Sequence, residues 1–124
     1  MNICIKTIPH KEQRYETVGD YFYEGKTLCI RVSEMSDWRY EMLVVVHELV
    51  ELFIVKHQKI PFKKIDTFDI LFEKTRRKGS AAEPGDSPYA PYRFAHCVAT
   101  GVERMLAAVM GVIWQDYDHE INSL

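Results

Sequence analysis

The chain has 124 residues, 47% of them hydrophobic and 27% charged, and a formal net charge of -2. That length suits one ordinary domain with a real core; the composition excludes a disordered chain, and the charge gives no global pull toward nucleic acid or membrane. No stretch is long and apolar enough to span a bilayer, no signal peptide shows, and Cys4, Cys29 and Cys97 lack CxxC spacing, so the expected setting is a reducing cytoplasm with free thiols.

In chain order, residues 2–8 alternate (Ile3, Ile5, Ile8) as a strand does, and Pro9 ends it. Tyr15 to Val18 reads as a second short strand. Tyr21 to Val32 reads as a hairpin with Glu24-Gly25 in its turn. Ser36 or Asp37 can cap a long helix running to about His57, with Pro61 as its stop. A second helix is expected from Asp66-Thr67 to about Lys78, with Gly79 as its cap. Residues 79–90 carry the turn formers of a loop that is long for so small a domain, and such loops often line binding sites. Pro91 suits the first turn of a third helix ending at Gly111, and Trp114 to Asn122 can form a fourth. The expected architecture is α+β over residues 1–124: a small N-terminal antiparallel sheet packed on the long helix, with three further helices around it.

The long helix holds the chemistry. Met42 to Val55 is an apolar run with His47, Glu48 and Glu51 set into its middle. A helix apolar nearly all round is expected to be buried, and buried ionisable groups need a partner or a metal. His47 and Glu51 are four apart and share a face. His96, Thr100 and Glu103 form a matching stripe on the third helix. If the two helices pack, these groups either pair among themselves or share a cation. Two histidines and a carboxylate suit zinc in its catalytic form, which keeps one position open. His47, Glu51 and His96 are the candidate ligands. Glu48 is then free to accept a proton from water, and Glu103 is an outer carboxylate or an alternative third ligand. Glu48 could instead pair with Arg104. Asp86, in the long loop, is a spare ligand.

Leu28 to Ser33, followed by a helix carrying Val46-His47-Glu48-Leu49-Val50-Glu51, resembles the core of the zincin metallopeptidases. That family places an edge strand before a helix bearing HExxH, and a later His or acid completes its zinc site. The resemblance implies a zincin-like domain with one divalent metal, a metal-dependent hydrolase acting on a peptide or protein. Residue by residue, His47 matches the first ligand and Glu48 the general base. Glu51 stands where the family has its second His, and its charge would make the metal less acidic. The segment Val102 to Ala108, with Gly111 to Trp114 and Tyr117, is similar to small phage and prophage proteins, whose site of action would be the host cytoplasm.

Two rival readings follow from the same residues. One is a non-catalytic member of that fold, a metal-binding or phage accessory protein. The other is a binding module for nucleic acid or an acidic protein, using Lys63, Lys64, Lys74, Arg76, Arg77 and Lys78. Asp66, Asp69 and Glu73 interrupt that basic segment, and no known nucleic-acid motif accompanies it. His10, His57 and His119 are expected at the surface. Cys97, Leu106, Val109, Met110, Ile113 and Trp114 are expected in the core, and Tyr89, Tyr92 and Phe94 either serve as ordinary packing or rim a pocket.

Overall fold

Leu28, Cys29, Ile30 and Val32 make one of the most apolar short segments of the chain, and they occupy the centre of the sheet. In a computed structural model, which describes residues 1–77 and 79–124, strand β3 (Thr27–Ser33) lies between β1 (Asn2–Ile8) and β2 (Gly19–Glu24). Four helices follow: α1 (Trp38–His57), α2 (Phe62–Lys74), α3 (Arg93–Val109) and α4 (Trp114–Ser123). The fold is α+β.

The sheet is mixed rather than wholly antiparallel. β2 and β3 form the expected hairpin, closed by Gly25-Lys26, with Gly25 at φ 61. β1 runs parallel to β3, with Cys4 opposite Cys29 and Ile5 opposite Ile30. The central place goes to the strand that is buried on both faces: Leu28, Ile30 and Val32 on one face are no more than 1% exposed, and Cys29 and Ser33 on the other are 2% and 0% exposed. β1 is left at an edge, with Ile3 and Ile5 exposed. Tyr15 to Val18 is not a strand. The Val18 carbonyl caps the sheet edge by accepting from Ser33 N–H, and the Tyr15 hydroxyl reaches Asp69 at 3.1 Å.

α1 begins where expected, with the Asp37 side chain accepting from Arg39 N–H at 2.9 Å. It ends with Lys59 in the left-handed region (φ 58) and Ile60 N–H bonded to Val55 C=O. α2 starts four residues earlier than the sequence suggested. Pro61 begins this helix as much as it ends the last, because Phe62 packs on the rings of Tyr21 and Tyr23. It ends at Lys74 with Thr75 as its cap, short of the expected end near Lys78 (itself outside the described residues), so Gly79 does not cap it. Gly111 (φ 66) terminates α3 by a similar device, with Val112 N–H on Ala107 C=O.

α1 is the axle of the fold. It contacts β2 and β3 on one side and α3 on the other. Leu43, Val45, Leu52 and Val55 join Leu28, Ile30 and Val32 in one core. Covering α1 from two sides is what encloses its ionisable residues. The coverage is incomplete, however: Trp38, Met42 and Phe53 remain exposed. Among the described residues, no helix is long and apolar enough to cross a membrane.

Candidate metal centre

The polar stripes of α1 and α3 meet inside the fold. His47, Glu51, His96 and Glu103 are 8%, 4%, 6% and 7% exposed. His47 Nε2 lies 3.2 Å from Glu51 Oε2 and 3.2 Å from His96 Nδ1. His96 Nδ1 lies 3.1 Å from the same Glu51 oxygen. Three donor atoms from two helices thus form a nearly equilateral triangle.

The remaining polar atoms of these residues point outward to partners. His47 Nδ1 donates to Glu103 Oε1 at 2.7 Å, and Tyr117 O–H donates to Glu103 Oε2 at 2.5 Å. Tyr21 O–H donates to Glu51 Oε1 at 2.8 Å. Each aromatic ring fills core space while its hydroxyl satisfies a buried oxygen. His96 Nε2 faces the loop before α3, with Glu83 Oε2 at 3.0 Å and Asp86 Oδ1 at 3.4 Å. Neither carboxylate is aligned well enough to make a hydrogen bond to this buried nitrogen. Gly85 packs so closely on the ring that a Cβ there would sit 2.4 Å from His96 Cγ and Nδ1.

Two charge states suit this geometry. In one, both imidazoles are protonated and Glu51 Oε2 accepts from both. Burial opposes that state, but the hydrogen bonds with Glu103 and Glu51 hold His47 well above its ordinary pKa. For His96, burial is likewise outweighed by Glu51 and Glu83, which raise it to about 10. Burial alone would raise Glu51; its two imidazole partners bring it below the usual carboxylate value. This state sets two cationic N–H groups 3.2 Å apart, a like-charge contact in a dry site. In the other state both imidazoles are neutral and three lone pairs converge on one point.

The second state is what a divalent cation requires. In a regular tetrahedron the edge is about 1.6 times the centre-to-corner distance, so zinc bonds of about 2.0–2.1 Å call for donors roughly 3.3 Å apart. The observed edges of 3.1 to 3.2 Å are close to that. The residues therefore fit a cation with two nitrogen donors and one oxygen donor. His47 also has the outer carboxylate that fixes a ligand histidine's tautomer.

A cleft of about 310 Å³ opens on this triangle, lined by His47, Glu48, Glu51, His96, Glu83 and Tyr92 among others. The half-buried Glu48 side chain lies against the Gly19 backbone, where a Cβ would come within 2.5 Å of its Oε1. Among the described residues none hydrogen-bonds to the Glu48 carboxylate. Burial, reinforced by Glu51, pushes its pKa well above the usual range. Arg104 is not its partner: that guanidinium stacks 4.2 Å over the Trp114 ring.

Other expected residues fall elsewhere. Tyr92 lines the cleft and donates to Asp69, whereas Tyr89 and Phe94 are exposed and outside it. Cys97 and Val109 are exposed because α3 turns its other side to the core, and Ile113, at the N-cap of α4, is exposed as well. His57 and His119 are at the surface, but His10 is half-buried and bonded to Ser33 Oγ at 2.8 Å. Arg76 is turned onto Glu73 and the Ser80 carbonyl. Sequence reasoning did not reach Tyr21, Glu83 and Gly85. Only Tyr21 carried a usable signal, as a hydroxyl on an inward strand position that must find an acceptor.

Comparison with protein-family models, with curated proteins and with solved structures yields no significant match.

Proposed function

We propose that this chain is a zincin-like metal-dependent hydrolase whose single divalent cation, zinc, is held by His47, Glu51 and His96. The observation that carries the reading is the triangle of His47 Nε2, Glu51 Oε2 and His96 Nδ1, with edges of 3.1 to 3.2 Å. A cation at this position supplies Lewis acidity, making water nucleophilic near neutral pH and polarising a carbonyl.

The chain's own residues supply the rest. Glu103 holds the His47 ring by Nδ1 so that Nε2 presents its lone pair to the triangle. Tyr21 occupies the outer oxygen of Glu51 and leaves the inner one for the ligand role. Glu48 lines the same cleft with its carboxylate unbonded, and it takes the proton of the attacking water. It then returns that proton to the leaving amine of a peptide-type substrate. The cleft that holds Glu48 is lined also by Tyr15 and Glu83 and is where a peptide would bind.

A non-catalytic metal protein is the second reading, and one residue favours it. Glu51 stands where a neutral imidazole would leave the cation more acidic, so the site could retain metal without fast turnover. Metal analysis of the purified chain and of His47→Ala tests the ligand set. The expected result is about one zinc per chain, lost in the variant; a metal-free wild type after growth with supplementary zinc, manganese, iron and nickel contradicts it.

A further inference from the structure

α3 has two apolar sides, and the fold uses only one. Ala95, His96, Ala99, Glu103 and Ala107 are buried. The opposite side carries Phe94, Cys97, Val98, Gly101, Met105, Ala108 and Val109, every one of them exposed and none charged. Phe94, Val98, Gly101, Met105 and Ala108 alternate steps of four and three, the spacing of a helix-pairing seam. Phe94, Met105 and Val109 are 64%, 67% and 82% exposed. Gly101 sits mid-helix with nothing within 4 Å of where its Cβ would be. A glycine there weakens the helix, and no contact among the described residues accounts for it.

We infer that this face pairs with the same face of a second copy, the two helices running antiparallel about a two-fold axis at Gly101. The reason for choosing a second copy is that the stripe is complementary to itself. Reversing the helix about Gly101 sets Phe94 against Ala108 of the other copy, Met105 against Cys97, and the Arg104 stem against Val98. Phe94 and Met105 each meet a small side chain, Val109 meets the Arg93 stem, and the glycine lets the backbones approach at the axis. Phe94, Val98, Met105 and Val109 alone expose roughly 500 Å² per copy, so a symmetric pair removes about 1,000 Å² from water, the lower end of a specific interface. This pairing places the two metal centres on outward sides of the joined helices, leaving both clefts open. It does not depend on the metal being present.

Sedimentation equilibrium of the full chain at about 1 to 100 µM tests the inference, with a dimer of micromolar or tighter Kd expected. Met105→Glu alters only exposed surface and should weaken association about 100-fold or more. In a Cys97→Ser background, Gly101→Cys should form an inter-chain disulfide nearly completely under mild oxidation, because the axis brings the two introduced thiols together. Circular dichroism checks that both variants remain folded. A wild-type chain that stays monomeric at about 100 µM leaves the face to another protein and overturns the inference. So does a dimer that Met105→Glu leaves intact, or one in which Gly101→Cys fails to cross-link.

Discussion

His47 and Glu103 are joined by a 2.7 Å hydrogen bond from Nδ1 to Oε1, and that bond decides which nitrogen of His47 faces the cleft. Glu103→Gln keeps the shape of the side chain but removes the anionic acceptor. Zinc affinity, measured by competition with a chromophoric chelator, is expected to fall about 10- to 100-fold. Unchanged affinity would show that Glu103 does not orient the ligand.

Glu48→Gln separates catalysis from metal retention. The variant should bind zinc as the wild type does, since Glu48 is no corner of the triangle. Any hydrolysis of a peptide library should fall by about 10²- to 10⁴-fold, the usual worth of a positioned base. Full turnover in the variant would remove Glu48 from that role.

Two glycines make a paired test. At Gly85 a Cβ would collide with the buried His96 ring at 2.4 Å, whereas at Gly19 it would meet the Glu48 side chain. Gly85→Ala is expected to displace His96 and weaken zinc binding more than tenfold, because ligand geometry tolerates shifts of only a few tenths of an ångström. Gly19→Ala should spare zinc binding and reduce turnover only. Isothermal titration of both variants would contradict the assignment if their effects on zinc were equal.

Asp69 gives a pH dependence that lies outside the triangle. Burial lifts its carboxyl from 3.8 to about 7, against the opposing hydroxyl donors Tyr92 and Tyr15. A raised folded pKa means that the folded chain binds more protons than the unfolded chain between these two values. Its contribution is therefore fully present below about pH 4 and is lost as pH rises toward 7, by up to about 4 kcal/mol. Asp69→Asn should remove this slope. Urea unfolding of both proteins at about pH 4.5 and 7.5 checks it: the wild type should lose stability relative to the variant at the higher pH.

The helices were legible because their signals are local. Asp37, Gly111, the apolar run of α1 and the apolar periodicity of α3 need no distant partner, and the i, i+4 relation placed His47 and Glu51 on one face. The helix crossing that joins them to His96 and Glu103 followed from burial cost alone. The parallel pairing of β1 with β3 was not legible, since strand order is set by long-range pairing that local alternation does not encode. Nor was the approach of Glu83 and Gly85 to His96, because an irregular loop carries no periodicity to project. Val109 is exposed rather than in the core for a related reason: apolar character does not say which of two apolar helix sides turns inward.

The most direct test of the proposed centre is X-ray absorption at the zinc edge of the zinc-loaded chain. The account predicts two imidazole nitrogens and at least one carboxylate oxygen at about 2.0–2.1 Å, with one imidazole signal lost in His96→Ala. A first shell of oxygen alone, or an unchanged shell in His96→Ala, would contradict it.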